Sequence, residues 1–183
     1  MRKTRAGIQG LRATLLASAI TVAITPSAVA SDDDSPRVFG WLERAVVMPV
    51  DTTVKAKLDT GALTSSIHAT DIGARQQDGK DWVDFTIELK DADSGEKVVQ
   101  ALSLPVKRFI RVRGAGGEDW RPVVMLDICI GDQVYNEQFS LRDRSDMLYP
   151  VLIGRRLLRD LGPVDVNATY VTRPACNGGH DEA

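Results

Sequence analysis

Lys57-Leu58-Asp59-Thr60-Gly61-Ala62 and, about ninety residues further on, Tyr149-Pro150-Val151-Leu152-Ile153-Gly154-Arg155-Arg156-Leu157-Leu158-Arg159-Asp160-Leu161-Gly162 decide how this chain folds. Val54 to Leu58 alternates apolar and polar residues, the pattern of a half-buried strand, and runs into an Asp, a hydroxyl residue and a Gly. The second stretch is an apolar strand, a Gly, and apolar residues at helical spacing. Gly162-Pro163 stops that helix. Outward from these two points the chain is a series of short apolar runs. Val83, Phe85, Ile87 and Leu89 alternate with Asp84, Thr86 and Glu88. Further runs cover Val38 to Met48, Val98 to Leu104, Val123 to Ile130 and Val134 to Leu141, with the turn Asp91-Ala92-Asp93-Ser94-Gly95 between two of them. Period-two runs broken by turn residues predict an all-β barrel or sandwich with one short helix near its end.

The 183 residues are 43% hydrophobic and 26% charged, ordinary for one soluble domain with a core of useful size. The net charge of -2 hides an asymmetry. Residues 1–30 hold Arg2, Lys3, Arg5 and Arg12 and no acid, so 19 basic and 25 acidic side chains remain, a net -6. That balance argues against a nucleic-acid binder. The basic start, the apolar run Ala13 to Ile24 and the small residues Ala28 and Ala30 read as a secretory signal cleaved after Ala30. The chain is therefore expected to be exported, periplasmic or secreted. Four segments follow: a signal peptide at 1–30, an acidic lead-in at 31–36, the β domain at 37–172 and a polar, loose tail at 173–183. Export permits a disulfide between Cys129 and Cys176, but one buried and one mobile thiol fit the sequence equally well.

Asp59, Thr60 and Gly61 follow an order that an aspartic peptidase needs. The Asp supplies one carboxylate of a pair, the hydroxyl can hydrogen-bond across that pair, and the Gly lets backbone approach the carboxylate. The wider pattern resembles the retropepsins, the single-domain aspartic proteases of retroviruses. It rests on Leu58-Asp59-Thr60-Gly61-Ala62 and Val151-Leu152-Ile153-Gly154-Arg155-x-Leu157-Leu158. Arg156 stands where that family usually has Asn. Thr64-Ser65-Ser66-Ile67-His68-Ala69, Arg121-Pro122-Val123-Val124 and Asp143-Arg144-Ser145 extend the resemblance to a bacterial branch labelled "ATP-dependent zinc proteases". The resemblance covers about Val38 to Val171. It implies the closed acid-protease barrel, with Asp59 catalytic, Thr60, Gly61 and Ala62 supporting it, and Gly154-Arg155 as a structural strand-to-helix motif.

The branch's label finds little in the residues. No G-x-x-x-x-G-K-[ST] loop for ATP occurs, and His68 and His180 are the only histidines. No metal and no cofactor are expected, and a metal-dependent hydrolase is the least favoured reading. Asp93-Ser94-Gly95 follows Lys90-Asp91-Ala92 rather than an apolar strand and reads as a hairpin turn. One Asp59 per chain then implies a homodimer acting on a peptide or protein substrate, with the two carboxylates meeting on a two-fold axis. The rival reading is a peptide- or partner-binding module on the same barrel.

Lys107 to Trp120 carries Gly114, Gly116 and Gly117 and reads as a flap or an ordinary hairpin. Its cations Lys107, Arg108, Arg111 and Arg113 suit an acidic substrate, though a solvated strand is the simpler reading. His68 reads as structural or solvent-facing, Arg155 as packing near the dimer seam, and Trp41, Trp82 and Trp120 as packing residues.

Overall fold

The computed structural model describes residues 37–114 and 117–176. The expected signal peptide and lead-in, Gly116, His180 and the end of the tail lie outside them. In chain order the strands are β1 (Phe39–Val47), β2 (Thr52–Leu58), β3 (Ser65–Gln77), β4 (Lys80–Lys90), β5 (Lys97–Pro105), β6 (Arg108–Gly114), β7 (Gly117–Ile130), β8 (Gln133–Arg142), β9 (Val151–Ile153) and, after helix α1 (Arg155–Leu161), β10 (Val164–Thr169). The all-β expectation with one short helix holds among the described residues.

Strand alternation sets the layers. In β2 the side chains of Thr52, Val54, Ala56 and Leu58 are buried, while Thr53, Lys55 and Lys57 face outward. In β4, Val83, Phe85, Ile87 and Leu89 are buried. Hydrogen-bonded neighbours run β1–β2–β9–β3–β8–β7, and β7 pairs back onto β1 through Ala45↔Ile130, Val46↔Cys129 and Val47↔Ile128. β3 takes part twice. Ser65 to His68 pair with β8, and from Ala69 onward the strand pairs with β4, across a register shift between Thr70 and Gly73; β4 in turn pairs with β5. The strand thus passes from one sheet into the other between His68 and Ala69, before the shift. Apolar side chains from both layers, including Val54, Ile67, Phe85, Val124, Leu141 and Leu157, form one core.

The turn at Asp91 is a hairpin connection, as its sequence predicts. The Asp91 carboxylate accepts the Asp93 and Ser94 amides at 2.9 and 2.8 Å, and Gly95 has φ +77°. This places Asp93-Ser94-Gly95 in a solvent-exposed turn.

Residues 173–176 depart from the loose tail expected over 173–183, of which 177–183 lie outside the described residues. Cys129 and Cys176 form a disulfide, and Ala175 donates its N–H to the Gly131 carbonyl at 2.6 Å. Residues 173–176 are therefore tethered to the end of β7. Sequence spacing could not decide the pairing, because Cys176 lies in a stretch with no periodic pattern.

Buried Glu43 holds the same region from the other side. Its carboxylate accepts the amides of Gly40, Val171 and Thr172 at 2.6, 3.1 and 3.0 Å and the Thr172 hydroxyl at 3.2 Å. Gly40 makes room for β10, since a Cβ there would lie 2.6 Å from the Ala168 carbonyl oxygen. Replacing Glu43 by Ala orphans these donors. Urea unfolding of Glu43→Ala is expected to show a loss of about 3 kcal/mol, the scale of a charged group's broken buried network. A loss below about 0.5 kcal/mol, the range of an ordinary surface change, rules out this latch.

Candidate active site

β2 ends at Leu58, whose partner in parallel β9 is Ile153, and the Asp59 amide donates to the Ile153 carbonyl at 2.8 Å. The loop that follows rests on the start of α1. Arg155 and Arg156 donate their amides to the carbonyls of Ala62 and Leu63 at 2.9 and 3.3 Å. The Gly154 amide donates to Ser65 Oγ at 3.0 Å. Gly154 has no room for a side chain, because a Cβ would lie 2.7 Å from the Thr64 carbonyl carbon. This contact is the physical content of the Gly154-Arg155 motif. Arg155 is exposed and reaches back to the Thr60 carbonyl at 3.4 Å.

The Asp59 carboxylate is held at both oxygens. Oδ1 accepts the Gly61 and Ala62 amides at 2.9 and 3.3 Å, and Oδ2 lies 3.2 Å from Lys57 Nζ. Partial burial disfavours its charge, but the Gly61 amide, the Lys57 ammonium and the Ala62 amide together outweigh burial and hold the carboxyl below its ordinary range. Thr60 and Gly61 are exposed and Asp59 is half-buried, so this loop is an open face of the single chain.

β6 and β7 form the expected hairpin, paired from Arg108↔Val123 to Gly114↔Gly117. Gly117 has φ +106°, a conformation that favours Gly at the turn. Between this hairpin and the Ala62–Thr64 loop lies a cleft of about 480 Å³, lined in part by Leu63, Ser66, Ile110, Arg108, Arg121 and Arg144. Ser66 is buried and its hydroxyl has no hydrogen-bond partner. Arg108 donates to Gln138 Oε1 and Thr64 Oγ1 at 2.9 and 3.1 Å, and buried Arg144 donates twice to the Tyr149 carbonyl, so both bond to neutral oxygens. Arg121 pairs with Asp119 at 2.7 Å. Burial lowers the pKa of Arg144, and the like charges of Arg142 and Arg121 lower it further, while Asp59 opposes them. Burial and Arg156 do the same to Arg108.

His68 is buried, and its Nδ1 accepts the Arg144 amide at 2.8 Å. It fixes the Arg144 loop, a structural role, and makes no pair with Ser66. Trp41 meets Tyr149 edge-on and Trp82 stacks with Arg75, but the packing expected of Trp120 is not found. Trp120 is 64% exposed on the hairpin, beneath the Arg111 guanidinium. A lone aromatic in an alternating strand does not reveal which face it takes when neither face is uniformly apolar. Among the described residues no three His, Cys, Asp or Glu side chains gather as metal ligands. Sequence reasoning overlooked Lys57, although residues two apart on a strand share a face.

A ring of paired strands carrying one Asp-Thr-Gly loop on a Gly-Arg-x-Leu-Leu helix start defines the retropepsin-like class. The chain belongs to the RimB-like family, described as retropepsin-like aspartic endopeptidase RimB, whose model matches residues 38–175. A solved structure of the Legionella pneumophila protein Lpg0085, of unknown function, superposes with a TM-score of 0.61 and 29% identity, covering 74% of this chain and 98% of that one. Proteins named probable alpha-L-glutamate ligase are also similar. The Desulfotalea psychrophila protein is 33% identical over 109 residues, 58% of this chain and 23% of its own length. The Shewanella pealeana protein is 30% identical over 118 residues, 64% of this chain and 25% of its own length. This chain thus spans about a quarter of the curated relatives it matches.

Gly154→Ala is expected to push the Leu63–Thr64 backbone away from α1. Overpacking of this kind costs about 1–3 kcal/mol. Amide exchange at Ala62 and Leu63 should rise more than at Val83 or Phe85 in the second sheet. Equal changes at both places contradict a local clash.

Proposed function

We propose that the chain is an aspartic endopeptidase that works as a homodimer, with one Asp59 from each subunit on the two-fold axis. The observation that carries this reading is the Asp59 carboxylate on an open face, held by the Gly61 and Ala62 amides. We read the ring of strands as the closed acid-protease barrel. The other Asp-x-Gly sequence, Asp93-Ser94-Gly95, is bound into an exposed turn, so a second copy is the natural source of the second carboxylate.

Two carboxylates this close share one proton, and the pKa values belong to the pair. The ionised Asp59 takes a proton from water as the water oxygen bonds to the scissile carbonyl carbon. The protonated Asp59 hydrogen-bonds the carbonyl oxygen, on which negative charge develops. The C–N bond then breaks as a carboxyl proton passes to the leaving nitrogen. Thr60 would tie the two loops together, and the β6–β7 hairpin would close over the peptide and exclude water. Export fits the Cys129–Cys176 bridge, which persists in oxidising compartments.

The cleft suggests the substrate's charge. Arg108, Arg121 and Arg144 converge there, and among the described residues Arg108 and Arg144 hydrogen-bond neutral oxygens. An acidic peptide would complete their pairing. The relatives' names point the same way, toward glutamate. A second reading, a module that binds acidic peptides without cutting them, draws on the matching region being a quarter of proteins named as ligases.

Cleavage of a mixed peptide library decides between them. Asp59→Asn is expected to lose at least about a thousandfold in kcat/KM, the scale of removing an essential acid/base group, with the fold intact and chelator without effect. Arg144→Met should lose about tenfold or more on acidic peptides and little on neutral ones, as one lost charge-assisted hydrogen bond implies. Cleavage that survives Asp59→Asn refutes the assignment. Binding of acidic peptides without cleavage by either protein favours the module.

A further inference from the structure

Lys57 and Asp59 sit two residues apart at the end of β2. Even-numbered Ala56 and Leu58 point into the core, so Lys57 and Asp59 both project from the opposite face. The lysine folds along that face and places Nζ 3.2 Å from Asp59 Oδ2. The two amides of the Gly61–Ala62 turn already occupy Oδ1. The carboxylate is thus gripped at both oxygens, one by backbone and one by the Lys57 ammonium. The side chains of Lys57 and Asp59 are 39% and 24% exposed, so the pair is neither fully solvated nor sealed.

We propose that Lys57 is a positioning residue of the peptidase: its ammonium orients the Asp59 carboxylate and sets the pH range in which the paired carboxylates share their proton. The proposal rests on the functional reading above. Across a two-fold axis each Asp59 would bring its own Lys57. Two carboxylates with no counterion retain one proton because their charges repel. Two ammonium groups offset that repulsion, so the shared proton leaves at lower pH than it would from the bare pair. Among the described residues, Arg144, from the segment between β8 and β9, is near enough for the Asp59 charge to act on it, though the two make no hydrogen bond or ion pair. Arg155 approaches only the Thr60 carbonyl, and Ile153 of β9 presents a backbone carbonyl to the Asp59 amide. Arg144 is buried and bound to Tyr149 and stays in every variant, so Lys57 is the charge that substitution can remove alone.

The sign is definite. Loss of Lys57 disfavours the ionised form of Asp59, so both limbs of the bell-shaped kcat/KM profile move to higher pH. On the alkaline limb, Lys57→Met should retain about three- to tenfold more of its own maximum than wild type, the size of one partly screened contact. Lys57→Arg keeps the charge and should keep the wild-type limbs. A merely structural role would lower the whole profile without displacing its limbs, in Lys57→Arg as in Lys57→Met. The same contact is read without substrate by carbon-13 titration of the Asp59 carboxyl, assigned by its absence in Asp59→Asn. Its midpoint should rise in Lys57→Met and not in Lys57→Arg. A mute cleavage assay sinks the peptidase reading and leaves this titration standing. A midpoint and limbs that coincide in wild type and Lys57→Met overturn the proposal.

Discussion

The loop bearing Asp59 has its shape because Gly154 lets two backbones touch. With no side chain at that position, the Leu63–Thr64 segment lies against the start of α1, and the amides of Arg155 and Arg156 take the carbonyls of Ala62 and Leu63. The Asp59 amide is fastened to Ile153 one residue earlier on the same segment. β9 and α1 therefore serve as a template on which the loop is laid, and Leu157, Leu158 and Leu161 anchor that template in the core. Once the loop is laid there, the Gly61 and Ala62 amides turn toward the carboxylate without further cost in ordering. Preorganised donors of this kind act at the moment of charge rearrangement because they need not reorient.

The same dependence explains which parts were legible in the sequence. Gly154 with its amphipathic helix is a local pattern that folds as it reads, and Asp59 with its glycine, which alone also fits an ordinary turn, is legible through the resemblance that joins the two stretches. The strands of β4 and β5 and their turn at Asp91 follow from alternation and from Asx-turn chemistry in the same way. Long-range choices were not legible. The disulfide joins Cys129, at the end of β7, to a residue 47 positions later in a stretch with no pattern. Buried Glu43 looked like a polar position in an apolar run, and its role depends on amides about 130 residues away. Trp120 is exposed because the β6–β7 hairpin stands clear of the core, a tertiary fact that alternation alone cannot carry. The gathering of Arg108, Arg121 and Arg144 is of the same kind, since three distant segments meet there.

That gathering runs against ordinary folding energetics. Arg144 is buried, its neighbours Arg142 and Arg121 carry like charge, and its hydrogen-bond acceptor is a carbonyl. A core optimised for stability would place a carboxylate beside it or replace it by an apolar residue of similar volume. Here the supporting structure goes the other way. His68, itself buried, spends its only acceptor nitrogen on the Arg144 amide, and Ser66 leaves its hydroxyl unpaired beside the same cleft. Unmet donors and uncompensated charge are tolerated in folded chains where something else supplies the partner.

The two charge systems then oppose each other in a useful way. Asp59 offsets part of the charge on Arg144, whereas Arg142 and Arg121 add like charge beside it. On the reading of the cleft as a site for acidic peptides, a carboxylate arriving there would take over that offset. The Lys57 contact lies on Oδ2, the oxygen that the Gly61 and Ala62 amides leave free. The charge of the carboxylate is supported from one short stretch of chain, by the Lys57 ammonium and the Gly61 and Ala62 amides, which together outweigh burial. The strand that delivers Asp59 to the loop therefore also delivers the cation beside it.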